Sequence, residues 1–259
     1  MNYLEVNKDA WDKRTKVHVD SKFYDVEGFL SGRNSLNQIE LDEVGDVNGK
    51  ALLHLQCHFG QDTMSWARLG AKVTGVDISS EAINVAKRLS DKLGLSTDFV
   101  CDDIYSFADT NDQLFDIVFV SYGALCWLPD LHRWADLVSS SLKEGGQLNL
   151  VEFHNFNDIL SGYSYFPSNE ADIDDEGTYT ENCTGETSVM MTWPHPISEV
   201  INALIGAGLS VDSVNEFPYS PYNCFSEMEK DGDRGFKKLC NGQPIPLVYS
   251  IKARKQICL

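Results

Sequence analysis

From residue 51 onward the chain alternates short apolar, β-branched runs with segments of helical period, the pattern of a parallel sheet covered by helices on both faces. The runs that read as strands are ALLHL (51–55), KVTGVD (72–77), TDFVC (97–101), FDIVFVS (115–121) and QLNLVEF (147–153). Between the second and third, Ala82, Ala86, Leu89 and Leu93 recur at i, i+4, i+7 and i+11, one face of a helix opened by Ser79-Ser80. A second helix, near 131–142, offers Leu131, Trp134, Val138 and Leu142, and Gly145-Gly146 then turns the chain into the fifth strand. After that strand regularity stops for about forty residues rich in Asn, Asp, Gly, Ser and Tyr, an insertion of the kind that is usually functional or mobile. PISEVINALIGAGLSVDSV then reads as helix, turn and strand, and PLVYSIKARK as a last strand. The first 45 residues, with Trp11, His18, Phe23, Tyr24 and Phe29, read as a helical cap. No repeat or linker splits the chain, so we expect one α/β domain over 1–259: cap 1–45, cofactor-binding core 46–160, substrate-side insertion 161–195, and C-terminal helix and strands 196–259.

Composition narrows the partners. With 21 Lys+Arg against 39 Asp+Glu, a formal charge of -18, and no clustered basic surface, nucleic acid is not an expected substrate. The acidic runs ADIDDEG (171–177) and EMEKDGD (227–233) read as solvated loops. The N-terminus is charged from its first turn and lacks a signal-peptide core, and the most apolar stretch, IVFVSYGALCWL (117–128), is too short for a membrane span. Seven cysteines without a CxxC pair suit reduced thiols in a cytoplasmic protein without a structural metal. The sequon at Asn182 lacks a secretory context and reads as chance.

QCHFGQ (56–61) follows the first strand, where open α/β sheets bind ligands beyond the carboxyl ends of their strands. The second strand ends in Asp77, an acid placed to accept hydrogen bonds from both hydroxyls of a ribose. Loop and acid together indicate an adenosine-type ligand. A dinucleotide loop needs glycine where Gln56, His58 and Gln61 stand, which argues against NAD and FAD, and no GK[ST] ending marks a P-loop.

LLHLQCHFG, VTGVDIS, FVCDDIY, LFDIVFVSYGALCWLPDL and LKEGGQLNLVEFH, in that order, resemble the motifs of the class I S-adenosylmethionine-dependent methyltransferases. In that alignment His54 stands at the acidic position of the first motif, Gln56 and His58 at its first two glycines and Gly60 at the third. A strict pattern would reject this loop, but the family's cofactor carries no phosphate, and HLQCHFGQDT resembles the variant of one branch. The resemblance implies a doubly wound, Rossmann-like, seven-stranded sheet, mostly parallel with an antiparallel last strand. It implies S-adenosyl-L-methionine as cofactor, held by Gln56, Cys57, His58, Phe59 and Gly60, with Asp62 and Thr63 at the start of the next helix, where they also suit caps. It places Asp77 on the ribose, Ile78 and Ile104 against the adenine, and Ser121 and Tyr122 beside the methionine portion. Asp103 is the first choice for the adenine amine and Asp102 the second, an N-cap being the competing role. Gln56 and His58 either touch the cofactor or hold the loop to itself, and His54, inside a strand, reads as a satisfied core histidine.

Methyl transfer from a sulfonium is an in-line displacement that mainly needs alignment and exclusion of water, with a base only where the acceptor must lose a proton. His154, Glu152 and Tyr122 are the candidates for catalysis, and Trp127, Tyr163, Tyr165, Trp193 and His195 for pocket walls. Trp11 and Tyr24 are core aromatics of the cap or close over the cofactor, and PYSPYNCF (218–225) is a packed loop or a substrate wall. The self-supplied cap and insertion favour a small-molecule acceptor with an O, N or C nucleophile, for a monomer or homodimer. The chain reads SYGA where nucleobase and amide methylation would call for an NPPY-type tetrad. The rival is a catalytically silent protein that binds S-adenosylmethionine or S-adenosylhomocysteine as sensor or scaffold. A nicotinamide oxidoreductase shares only the architecture.

Overall fold

Five parallel strands form in register with the apolar runs: β1 (Ala51–Leu55), β2 (Lys72–Asp77), β3 (Thr97–Cys101), β4 (Phe115–Ser121) and β5 (Leu142–Phe153). The computed structural model describes residues 2–257, so Cys258 lies outside the described residues. Alternate residues of β1 show why its run is continuously apolar. Leu52 packs with Trp66, Val73 and Phe119 on one face, while Leu53 and Leu55 join Val118, Val120 and Trp134 on the other.

The helices before and between them are α1 (Tyr3–His18), α2 (Val26–Leu30), α3 (Gln38–Val44), α4 (Gln61–Arg68), α5 (Ser80–Leu93), α6 (Ile104–Thr110) and α7 (Leu131–Ser141). Ser79 caps α5 by accepting from Ala82 N, as its position suggests. Beyond β5 come α8 (Phe156–Leu160), β6 (Asp172–Glu176), β7 (Ser188–Thr192), α9 (Ile197–Gly206) and β8 (Leu209–Phe217). Four two-residue strands follow, β9 (Glu229–Lys230), β10 (Phe236–Lys237), β11 (Leu239–Cys240) and β12 (Gln243–Pro244), then β13 (Val248–Lys255). The main sheet has seven strands in the order β3-β2-β1-β4-β5-β13-β8, with β13 antiparallel to both neighbours. This is the expected doubly wound, Rossmann-like sheet. The order reverses between β1 and β4, which opens a crevice beyond their carboxyl ends.

Two expectations change. Gly145-Gly146 does not precede β5 but lies within it: Phe115 pairs with Leu142 and Ile117 with Gln147, so the glycines sit in a wide irregularity of the ladder. A Cβ on Gly146 would stand 2.9 Å from Lys143 O and 3.1 Å from Phe115 O, which excludes any larger residue. The stretch after β5 is not irregular throughout, because β6 and β7 pair as an antiparallel hairpin. Its first strand, DIDDE, has no apolar alternation to announce it.

The hairpin is docked by side chains of α1. Asn7 Nδ2 donates to Met191 O (2.8 Å) and Met191 N donates to Asn7 Oδ1 (2.9 Å), so one amide continues the edge of β7 as a strand residue would. Asp12 ties the same helix to α5 by accepting from Ser79 Oγ (2.7 Å) and Glu81 N (3.0 Å). α1 is thereby fixed over the crevice from two sides.

Gly60, which opens α4, has φ 73°, and a Cβ there would lie 2.5 Å from the Phe99 ring. Gly60→Ala is expected to lower the unfolding free energy by about 1–3 kcal/mol in urea titration, with the loop displaced from Phe99. Unchanged stability would mean that neither the left-handed backbone nor the close approach constrains this position.

Candidate active site

The loop after β1 keeps a glycine-type backbone without the glycines. Gln56, His58 and Gly60 have φ values of 54°, 51° and 73°, so all three positions that align with the glycines of the first motif are left-handed. A side chain in that region costs about 1 kcal/mol or more, and two of the three carry one. Side-chain bonds compensate: Gln56 Nε2 donates to Ala124 O (2.9 Å), and His58 Nε2 is 2.9 Å from His18 Nδ1 on α1. The backbone is pinned by Cys57 N to Val76 O (3.0 Å) and by His58 N to Asp77 Oδ2 (2.7 Å).

Asp77 therefore serves the fold and the crevice together. Its second oxygen accepts from Ser79 N (2.8 Å), and both oxygens keep lone pairs for further donors. Burial raises its carboxyl to about 6, against the lowering by the Ser79 and His58 amides. Asp103 caps α6 through one oxygen, accepting from Tyr105 N and Ser106 N at 3.1 Å each, while it also lines the crevice.

These groups surround a cavity of about 390 Å³. Of the thirteen residues expected to hold the cofactor, Gln56, Cys57, His58, Phe59, Gly60, Asp62, Asp77, Ile78, Asp103, Ile104, Ser121 and Tyr122 lie on its wall. Thr63 does not: it is buried with its hydroxyl 2.8 Å from His54 Nδ1, one layer behind. His54 reaches the wall but is held on its other side by Ser121 Oγ (3.4 Å), and burial depresses it to about 3, so it is a neutral, bonded histidine. Gln56 Oε1, His58 Nδ1 and the Tyr122 hydroxyl, all on the wall, are buried without hydrogen-bond partners. Orphaned polar atoms of this kind are what a polar ligand would satisfy.

Glu152 and His154, expected as catalytic candidates, do not line the cavity. The Glu152 carboxylate accepts from the backbone N–H groups of Gly123, Ala124 (2.8 Å), Leu125 (3.1 Å) and Phe153 (2.7 Å), holding the loop after β4. His154 Nδ1 accepts from Phe156 N (3.0 Å) and its Nε2 faces Glu216 at 2.9 Å, so both nitrogens are occupied. Tyr163, Tyr165, Trp193 and His195 likewise stand off the cavity; Trp193 packs edge-on against Tyr3 and His195 donates to Leu128 O (2.8 Å). Trp127 is on the wall, with Trp11 and Tyr24, and PYSPYNCF contributes Tyr222, Cys224 and Phe225.

The sequence reading missed Tyr3, Asn7, Arg14, Phe23, Arg33 and Tyr179, which also line the cavity. A signal for part of this set was present: Tyr3, Asn7, Trp11 and Arg14 follow one another at helical spacing and share a face of α1. No apolar stripe drew attention to it. Tyr179 lies in the insertion, where no period exists.

Residues 52–146 match the family described as methyltransferase domain. With the sheet order and the crevice loops, that match decides the family. This stretch is a methyltransferase domain. Ubiquinone biosynthesis O-methyltransferases are among the curated relatives of the methyltransferase domain: that of Klebsiella pneumoniae is 30% identical over 134 residues, covering 50% of this chain and 55% of the relative. The Yersinia enterocolitica protein is 32% identical over 104 residues, 39% of this chain and 43% of the relative. The chain thus spans about half the length of the curated relatives it matches. Among solved structures, an S-adenosylmethionine-dependent methyltransferase from Methanosarcina mazei has a TM-score of 0.60 at 21% identity, covering 86% of this chain and 99% of that one. A DhpI–SAH complex has a TM-score of 0.60 at 17% identity, covering 98% and 97%. The [4+2]-cyclase SpnF also resembles it, with a TM-score of 0.56 at 17% identity and coverage of 85% and 80%. At these identities the likeness is one of fold.

Glu152→Ala is expected to lower the unfolding free energy by about 2–4 kcal/mol in urea, since the buried amides of the loop after β4 lose their acceptor. His154→Ala should leave affinity for S-adenosylhomocysteine within about twofold by calorimetry, as for a residue outside the cavity. A large loss of affinity in the His154 variant would return it to the site.

Proposed function

We propose that the chain transfers a methyl group from S-adenosyl-L-methionine to a small-molecule acceptor. The observation that carries this reading is the joining, in one cavity, of Asp77 with the left-handed loop 56–60 and the ends of β3 and β4. Asp77 would take the ribose hydroxyls, Ile78 and Ile104 the flanks of the adenine, and Asp102 or Asp103 its amine. Gln56, His58 and Tyr122, with their unpartnered polar atoms, would face the amino-acid end. When bound, the cofactor supplies a methyl group on a sulfonium sulfur.

The chain's own part is to align the acceptor and exclude water. Trp11, Trp127, Tyr24, Tyr179, Tyr222 and Phe225 supply aromatic walls for that purpose. Burial raises the Tyr122 hydroxyl well above its ordinary value, so it remains protonated and acts as a hydrogen-bond donor or acceptor that orients the acceptor rather than as a free base. A walled space beyond the cofactor-holding residues favours catalysis over a silent sensor.

The acidic balance, a charge of -18, suits a small molecule better than nucleic acid. No helix among the described residues is long and apolar enough to cross a membrane. The unpaired thiols of Cys57 and Cys126, raised by burial, suit the reducing cytoplasm, and a monomer or homodimer remains our reading of the assembly.

Radiolabelled methyl transfer across a panel of small metabolites tests the activity, and incorporation into none of them alongside firm binding of S-adenosylhomocysteine would favour the silent reading. Asp77→Asn is expected to weaken S-adenosylhomocysteine by about 1–3 kcal/mol. Ribose donors favour the ionised carboxylate, so wild-type affinity should be full above pH 6 and fall as the pH drops through about 6, the value of free Asp77. The Asn variant should lose that dependence; a wild-type affinity flat across this window would remove Asp77 from the ribose.

A further inference from the structure

Arg14 is a buried cation without a counter-charge on the wall of the cavity. Its residue is 8% exposed, and its guanidinium carbon lies 5.7 Å from the ring centre of Trp11 and 5.8 Å from that of Trp127. Nη2 donates to Gly177 O (3.1 Å), while Nε–H is buried with no acceptor. Among the described residues no carboxylate forms an ion pair with it. The neighbouring imidazoles add no second positive charge: His18 is pushed down by burial and then by Arg14, and His58 by burial, then by His18 and Arg14, so both are neutral.

Two indole faces offset part of the desolvation of a guanidinium, but they leave its N–H groups unmet. An exposed arginine would meet water at no loss; one this buried, with an open donor beside a cavity, is completed by an anion. We propose that Arg14 is a carboxylate-binding subsite of the cavity. The planar fork of a guanidinium matches a carboxylate. A phosphate dianion fits less well, because Asp62 and Asp77 already stand on the same wall and Arg33, the other guanidinium there, is paired with Asp25, which leaves Arg14 alone to balance the added charge. The carboxylate belongs either to the amino-acid end of the cofactor, in which case the inference rests on the cofactor reading above, or to a carboxylic acid acceptor.

Calorimetric titration of the wild type, Arg14→Gln and Arg14→Lys separates these sources. The probes are S-adenosylhomocysteine, 5′-methylthioadenosine, which is the same thioether nucleoside without the amino-acid carboxylate, benzoate and its neutral counterpart benzamide, the last two with and without S-adenosylhomocysteine. Arg14→Gln is expected to lose about ten- to a hundredfold in affinity for a carboxylate probe, while 5′-methylthioadenosine and benzamide bind as to the wild type. Loss on S-adenosylhomocysteine assigns the subsite to the cofactor, and loss on benzoate assigns it to the acceptor. Wild-type protein that binds neither nucleoside yet prefers benzoate to benzamide through Arg14 would sink the cofactor reading and leave the subsite standing. Arg14→Gln that keeps wild-type affinity for both carboxylates overturns the proposal, as does an equal loss on charged and neutral probes with the circular dichroism of the native fold. Should Arg14→Gln not fold, the Lys variant decides: a weakened carboxylate preference supports the subsite and an unchanged one overturns it.

Discussion

The bond from His58 N–H to the Asp77 carboxylate joins the first two strand ends of the sheet, and the crevice takes its shape from it. Asp77 is buried, and its charge is tolerated because backbone donors of His58 and Ser79 meet it. In return the carboxylate holds His58 in a left-handed conformation that its side chain disfavours. The acid that reads from the sequence as a ligand group is thus also the clamp that lets a loop without three glycines take the path of one that has them. Ligand and clamp are compatible because a carboxylate has more lone pairs than the two amides use.

The side chains that replace those glycines are bound outward to two other parts of the molecule. Gln56 reaches Ala124 in the loop after β4, and His58 reaches His18 on α1, which continues to Thr178 in the insertion. Loop, cap and insertion therefore form one bonded unit over the crevice. Glycines in the same places would leave the cofactor loop independent of its lid. The substitution exchanges backbone freedom for a connection between cofactor loop and cavity roof, and within the roof Tyr24 and Tyr179, hydroxyl to hydroxyl, join cap to insertion a second time.

Strand limits were legible where burial on both faces made a run apolar, as in β1, β2 and β4, and the edge strand β3, though half exposed, also begins and ends where its β-branched run does. β5 was legible at its carboxyl end only, because its first residues pair across an irregularity that two glycines disguise as a turn. The hairpin β6–β7 was not legible, since DIDDE is held by its partner strand and β7 by an asparagine of α1, neither of which leaves a periodic trace. Site residues divide the same way. Those at strand ends follow from topology, which fixes the crevice by strand order, whereas Arg14 and Tyr179 arrive from segments whose position depends on tertiary contacts. Glu152 was placed at the ligand end of β5, but sequence shows only a carboxylate near a crevice, and it takes the positions of the Gly123–Leu125 amides to show that its oxygens are engaged in holding the loop.

That distinction bears on how such a domain acquires its chemistry. The sheet is shared architecture, and a [4+2]-cyclase of similar fold shows that the fold does not by itself fix a reaction. What is particular to this chain is the roof: an α1 face that presents Tyr3, Asn7, Trp11 and Arg14 in succession, and an insertion tied to it. Asn7 spends its amide on docking β7, and Trp11 lies against Trp127, so the face supports the roof and leaves Arg14 as the charged group turned to the cavity. Arg33, the other cation of the lining, is paired with Asp25, so Arg14 is the unpaired one, and in a strongly acidic protein it acts over short range only, since screening by solvent removes any long-range field. Selection of an acceptor is then a matter of fit and one directed charge inside the cavity, not of steering toward its mouth.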